Sequence, residues 1–443
     1  MENRNQHTWK DTVYNCFNPF EPVSGDKITA WFVERQDSPL EQLENAFGYG
    51  RLAPKILLLG QRGCGKTSEL FKLISKLKEK YFTVYVDAYA SLELDSTSRT
   101  ELLFFLGAGV YSAAKEAGLK IEDHLWKELV SSLSTVVRED TRQTDISLDP
   151  MGLLRGVVAT AGTAYPPFSV IAAATDGIRF SLGLTKKQVE RLEIGPYLKE
   201  ISHRVNAIIQ ATEGASGKKV LLIADGLERI TSEEQSRQLF DKSRYLTSLR
   251  CDAIFTVPVA LYANPGFREA DNEFEHAQLP NIRIYEKGNR QQAYQPGYVT
   301  LREVVTRRLD SLGLSIEIIF ETGVVDYLIQ MSGGVLRDLV HLVRRAVILV
   351  ENNESRIGMF HAQEAVRSLQ MELAQVLYEE DYIALRKILK SGSVERNDPA
   401  QLQLLWSRYI VNYHNGGFWR DVHPLILSIV EKHFEGKSEE DKM

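Results

Sequence analysis

The sequence predicts an α/β fold built on a parallel sheet, followed by a helical region and a small C-terminal domain. Three observations carry that expectation. Short apolar runs end at glycine, aspartate or valine in KILLLG (55–60), FTVYVD (82–87), VLLIAD (220–225) and DAIFTV (252–257), as strands covered on both faces do. Helical patterns lie between them, which is how parallel strands are joined. A glycine-rich stretch, GQRGCGKT (60–67), leaves the first run and opens a helix.

Taken in order, a polar N-terminal arm fills residues 1–50, and the α/β domain occupies 51–290. The helix after the glycine-rich stretch carries Leu70, Phe71, Leu73, Ile74 and Leu77 on one face. Helical patterns then cover 101–139 and 186–212, separated by a Gly- and Ala-rich insert at about 140–185. NIRIYE (281–286) reads as a fifth strand. The polar segment EKGNRQQAYQPG ends in Pro-Gly, as linkers do, and a helical lid follows at 291–362. In the last part, 363–443, the patterns DYIALRKILK and DPAQLQLLWS precede RYIVNYH and FWRDVHP around an Asn-Gly turn. Two helices followed by a hairpin form a winged-helix-like unit. Trp406 and Trp419 read as its core. His414 and His423 flank the hairpin with no Cys or acidic cluster at ligand spacing, so they read as structural.

Length and composition bound the function. A chain of 443 residues suits two or three domains, and 44% hydrophobic with 25% charged residues argues for a folded globular protein. The net charge of -6 removes a strongly basic surface, although a local basic patch stays open. Three scattered cysteines, Cys16, Cys64 and Cys251, make neither a disulfide framework nor a thiolate metal site and suit a reducing cytoplasm. The start, MENRNQHTWKD, lacks the apolar core of a secretory signal. Arg155, a proline pair and several hydroxyls interrupt the apolar stretch 153–177, which therefore reads as a packed insert with no membrane role.

The chemistry starts at residues 60–67, which match G-x-x-x-x-G-K-[ST] between a strand and a helix. Gly60, Gly63 and Gly65 let the backbone wrap a phosphate, with Gln61, Arg62, Cys64 and Ser68 in the same cradle. Lys66 supplies a mobile positive charge for the β- and γ-phosphates, and Thr67 an oxygen for Mg2+. Asp225, at the end of a strand of the same sheet, can hold the Mg2+ through water. Hydrolysis also needs a group that orients water, often a carboxylate directly after that aspartate. Here that position is Gly226, and Glu228 is the nearest acid along the chain; it can equally be a solvated residue at a helix start. No guanine-reading N-K-x-D motif is visible, so ATP is expected over GTP.

A phosphate loop followed by a strand ending D-G-hydrophobic-acidic resembles the STAND class of signalling ATPases within the AAA+ group, over roughly residues 50 to 350. The NACHT branch carries acids at the third and fourth positions after its metal-holding aspartate; this chain has Glu228 and then Arg229, and DGLER is also close to the D-D-L-D-R form of related branches. The resemblance implies a sensor at Thr256, where a core-facing threonine is the other reading. It also implies a second sensor in SGGVLRDLVHLVRRA, with Gly333 and Gly334 opening a helix and Arg337 one turn in. Arg250, Arg307 and Arg308 are candidates for an arginine lent to a neighbouring subunit, although such residues are more often surface ion-pair partners.

The resemblance implies a slow, ATP- and Mg2+-dependent switch that controls self-assembly or a separately encoded effector, in a setting such as bacterial antiviral defence. The alternative it leaves open is a DNA-binding initiator or loader. Arg386, Lys387, Lys390, Arg408 and Arg420 would then grip the duplex.

Overall fold

The structure, a computed structural model, describes residues 6–49, 53–140, 169–171, 195–240, 243–263, 267, 273–351, 353–395 and 398–435. Apart from 169–171, the insert expected at about 140–185 lies outside them, as does the start of the helical pattern expected from 186. The described residues fall into two compact units. One is drawn from residues 40–59 and 73–278, the other from 1–39, 60–72 and 279–443.

The first unit is organised by a sheet. Its strands are β1 (Lys55–Gly60), β2 (Tyr81–Asp87), β3 (Ser169–Ile171), β4 (Lys219–Asp225), β5 (Asp252–Val257) and β6 (Glu275–Leu279), in the spatial order β3-β2-β4-β5-β1-β6. The pairs β1/β5, β5/β4, β4/β2 and β2/β3 are all parallel. Every residue of β1 and β5 is buried, as uninterrupted apolar runs require when helices cover both faces. One strand, β5, separates the strand that feeds the glycine-rich loop from the strand that ends at Asp225. With helices between parallel strands and the glycine-rich loop leaving β1, this is an α/β sheet of P-loop type.

Helix Arg99–Glu116 is buried almost all round because it packs between the sheet and its helical neighbours. Its start is fixed by a capping box: Glu101 N–H donates to the Ser98 hydroxyl at 3.1 Å, and Ser98 N–H donates to the Glu101 carboxylate at 3.0 Å. The helical pattern expected over 101–139 is two helices, Arg99–Glu116 and Asp123–Asp140, parted at Gly118, whose φ of 70° no other residue type adopts cheaply.

The strand that follows β5 in this sheet is β6, Glu275–Leu279, and not 281–286, of which only Tyr285–Glu286 is a strand, in a separate pair. Residues 281 and 282 spend their amides elsewhere: Asn281 N–H donates to Asn412 O at 2.8 Å and Ile282 N–H to Gly334 O at 3.2 Å. β6 lies at the sheet edge and alternates in exposure. It therefore lacks the continuous apolar run that reveals a central strand.

The second unit is mainly helical. Val13 of helix Gln6–Cys16, Phe17 just after it, Leu301 and Val305 of Gln295–Asp310, and Leu339, Leu342 and Val343 of Leu336–Leu349 share one core with Val411, Tyr413 and Trp419. The last three belong to an antiparallel hairpin, β9 (Ile410–His414) with β10 (Phe418–Val422); a short pair, β7 (Tyr285–Glu286) and β8 (Asn289–Ala293), precedes it in sequence. The hairpin turns at Asn415–Gly416, with Gly416 at φ 63°. Helices Glu379–Ser391 and Pro399–Leu405 come before it and Pro424–Phe434 after it. Trp419 is buried, but Trp406 is only half-buried, so the expected two-tryptophan core rests on Trp419. Tyr285 and Tyr413 replace the second ring, with Tyr413 4.8 Å and Tyr285 6.0 Å from Trp419 between ring centroids.

Candidate functional site

In the helical unit, the glycine-rich loop runs into helix Lys66–Leu77. Gly63 and Gly65 stand at φ 87° and 104°, the left-handed region that glycine enters without strain. Space demands glycine as well. A Cβ on Gly63 would meet Arg337 Cβ at 2.8 Å, and one on Gly65 would meet Leu336 Cδ1 at 2.9 Å. Arg337 reaches the loop through its backbone, its N–H donating to Gly63 O at 3.1 Å. It is the second residue of helix Leu336–Leu349, in the first turn and not one turn in. Gly333 closes the preceding helix in the left-handed region at φ 60°, and Gly334 adds a second such residue at φ 71°, which delays the next helix to Leu336.

Lys66 is buried, and its ammonium donates to Gly60 O at 2.8 Å and Gln61 O at 3.0 Å. A lysine held by loop carbonyls stands beside the loop, ready to exchange those acceptors for phosphate oxygens. Cys64 is fully buried beneath the turn and serves packing. Gln61 ties the loop to the C-terminal hairpin: its amide oxygen accepts from Asn412 N–H at 3.1 Å and from the Asn281 side chain at 2.5 Å, and its amide nitrogen donates to Ile410 O. Arg62 and Thr67 are half-buried, and the Ser68 hydroxyl accepts from Val23 N–H at 3.0 Å.

Arg35, which sequence reasoning missed, belongs to the same neighbourhood. Its side chain is 5% exposed and donates to Glu69 at 3.0 Å and to Pro280 O at 3.3 Å. Ser38 holds the other Glu69 oxygen at 2.8 Å. Nη2 of Arg35 is buried with no hydrogen-bond partner among the described residues, 4.0 Å from where a Cβ of residue 65 would lie. A buried guanidinium with an unmet donor fits an anion. No contiguous motif marks such a residue; only its burial does.

In the sheet unit, Asp225 is 3% exposed. One carboxylate oxygen accepts from the Tyr85 hydroxyl at 2.8 Å and the other from Gly226 N–H at 2.9 Å. Gly226 itself is at φ 86°, and a Cβ there would meet Tyr89 Cβ at 2.8 Å, Tyr89 N at 2.9 Å and Asp87 Oδ1 at 3.0 Å. The missing side chain after Asp225 is thus a consequence of packing. Asp87 is in direct cross-strand register with Asp225. Burial, and after it the charge of Asp225, push the Asp87 carboxyl up to about 6.

Glu228 lies in a 3-10 turn, Leu227–Arg229, where its carboxylate accepts from the Thr256 hydroxyl at 2.8 Å. Thr256 is fully buried and faces the core, with its hydroxyl on an acid at the strand ends. Among the described residues no group of three His, Cys, Asp or Glu side chains is placed to hold a metal ion. A cation beside Asp225 would need further oxygens, from a phosphate ligand or water.

The remaining candidates divide. Arg308 is buried, donating to Cys16 O at 2.6 Å, so it is a core residue and cannot be lent to a neighbour. Arg307 pairs with Glu303 at 2.7 Å, and Arg250 is exposed. Of the five C-terminal basic residues, Arg386 stacks 4.4 Å from the Phe434 ring, Lys387 pairs with Asp398 at 3.2 Å and Arg408 pairs with Asp338. His423, nearly fully buried, accepts from Leu425 N–H at 3.1 Å and meets Asp338 at 3.2 Å, a structural role. No helix among the described residues is long and apolar enough to cross a membrane.

No protein-family model matches the chain, and no curated protein shows significant similarity to it. Among solved structures it is similar to a Walker-type ATPase of Pyrococcus abyssi, at 11% identity over 94% of this chain and 99% of that one, with a TM-score of 0.44. It is also similar to the Aeropyrum pernix Orc1 protein in complex with DNA, at 12% identity over 96% of each chain with a TM-score of 0.42. For the Thermotoga maritima RuvB Holliday junction branch migration motor the values are 12%, 95% of this chain and 100% of that one, and 0.37. The fold class rests on the chain's own sheet order and phosphate loop.

Proposed function

We propose that this chain is a slow ATPase that works as a nucleotide-gated switch. The observation that carries it is the clasp on the loop: Arg337 N–H bonds Gly63 O, and Leu336 and Arg337 sit where side chains on Gly65 and Gly63 would be. A loop so covered cannot rearrange around phosphate without moving the start of the lid helix. A ligand shifts an equilibrium only by its differential affinity for the two states, so contacts to the γ-phosphate are where switching energy resides.

In this reading Lys66, the loop amides and Arg35 contact phosphates, Thr67 and Asp225 hold Mg2+, and Arg337 reports the γ-phosphate to the lid. Mg2+ supplies charge neutralisation between the phosphates, and the chain supplies position. Asp225, fixed by Tyr85 and Gly226, keeps its carboxylate from turning. Thr256, with its hydroxyl on Glu228, relates the next strand to the same edge. The output is self-assembly or control of a separate effector, with bacterial antiviral defence a fitting setting. Duplex-DNA binding is the less favoured reading, since three of its five basic residues are engaged inside the unit.

The test is mass photometry with ATP-Mg2+, ADP-Mg2+ and no nucleotide, beside calorimetric ATP binding. We expect ATP alone to enlarge the assembly and Lys66→Ala to weaken ATP binding by about 100-fold or more, as loss of a charge-assisted phosphate contact implies. An unchanged mass in all three conditions, with ATP bound, would remove self-assembly. An affinity untouched by Lys66→Ala would remove the nucleotide site.

A further inference from the structure

Gly226 leaves the acid at the expected position missing, and the sheet edge shows what stands there instead. The Oδ1 of Asp87 lies 3.0 Å from the place where a Cβ on residue 226 would begin. β2 thus brings a carboxylate to the spot from which an acid after Asp225 would project, in register with Asp225 itself. We propose that Asp87 is the water-activating carboxylate of the ATPase reaction, replacing the residue that many P-loop ATPases carry directly after the metal-holding aspartate. The proposal rests on the ATPase reading above.

The neighbouring acids are occupied in ways that Asp87 is not. Both Asp225 oxygens accept hydrogen bonds, from Tyr85 and from Gly226 N–H. Glu228 takes the Thr256 hydroxyl. Asp87 accepts one bond, from Ala90 N–H to Oδ1 at 3.0 Å, which caps the short helix Ala88–Ser91 and fixes the carboxylate's direction. Its Oδ2 accepts no hydrogen bond from the described residues, so acceptor capacity remains for a water. The Ala90 amide orients the base as a third group does in other activated sites.

The step balances without a further reactant. The water oxygen forms a bond to the γ-phosphorus as a water proton passes to Oδ2 of Asp87. The bond from that phosphorus to the β–γ bridging oxygen breaks, and its electron pair leaves on ADP. Asp87 then returns the proton to solvent. A positioned base contributes about 10²- to 10⁴-fold in rate.

The experiment is single-turnover hydrolysis by the full chain, with ATP affinity measured in parallel, for wild type, Asp87→Asn and Glu228→Gln. Asparagine keeps the volume of Asp87 and its cap on Ala90, and a thermal melt checks folding. We expect Asp87→Asn to lose at least 100-fold in rate with ATP affinity within about threefold, and Glu228→Gln to keep more than a tenth of the rate. Hydrolysis by Asp87→Asn within threefold of wild type overturns the assignment. So does a Glu228→Gln variant that fails while Asp87→Asn works. Wild type that binds ATP and never hydrolyses it would instead sink the ATPase reading and the proposal with it. Should Asp87→Asn melt early, Asp87→Ser, which can still cap Ala90, gives the same rate comparison.

Discussion

The glycine-rich loop and the strand-end acids are opposites in how their charges are met. Around the loop three buried charges have partners close by: Lys66 sits on two carbonyls, Arg35 on Glu69, and Asp338 on Arg408 and His423. At the sheet edge Asp87, Asp225 and Glu228 are of one sign, and neutral Tyr85 and Thr256 hydroxyls do most of the answering. A balanced site is stable by itself. A one-sign site stores repulsion until a cation or a proton arrives.

The largest stability effect separating the two should come from breaking a balanced charge. Asp338 is 1% exposed, and burial alone would raise its carboxyl, but His423 and Arg408 outweigh burial and hold it below the usual range. We expect Asp338→Ala to cost about 2–4 kcal/mol in denaturant unfolding, because a buried acceptor vanishes from under two donors. A loss below 1 kcal/mol would show that Arg408 simply turns to solvent.

Next in size is Gly226→Ala. Left-handed backbone strain and contact with Tyr89 backbone together suggest about 2–3 kcal/mol. The same change at an exposed glycine such as Gly118, where a Cβ would meet nothing within 4 Å, should cost only the strain, about 1 kcal/mol. Equal losses at both sites would mean that the Asp87–Tyr89 turn yields easily.

The smallest effect is also the sharpest, since its sign differs between the regions. Asp338 has a depressed folded value, so its stability is present above the unfolded value of 3.8 and is lost as pH falls through the folded one. Asp87 is raised from 3.8 to about 6, so the folded state keeps a proton that the unfolded chain has released, and stability falls as pH rises through that window. Asp87→Asn should therefore match wild type near pH 4 and exceed it above pH 6, by about 1–2 kcal/mol once partial exposure is allowed for. Parallel stability curves for the two proteins from pH 4 to 7 would show no such shift.

The same contrast decides what was legible in the sequence. A phosphate loop is contiguous, since one turn must place successive amides, so residues 60–67 announce it. Strand-end chemistry is assembled sideways: Asp87 and Asp225 are neighbours only because β2 pairs with β4, and no spacing along the chain encodes that. Glu228 could be named as the nearest acid in sequence but not as the partner of Thr256. Central strands were visible as apolar runs, whereas edge strand β6, half wet and alternating, lost out to the more apolar NIRIYE that follows it. Gly333 and Gly334 were legible as the opening of a helix, but not that both take the left-handed backbone that delays its start to Leu336 and leaves Arg337 in the first turn.

One contact reaches beyond the loop. Gln61, the first residue after Gly60, is held by the backbone of β9 at Ile410 and Asn412. Free-energy linkage is reciprocal. If phosphate draws Gln61 away from the hairpin, then any protein that grips the hairpin must change nucleotide affinity by the same factor, and the C-terminal tip becomes a handle by which a partner sets how long ATP stays.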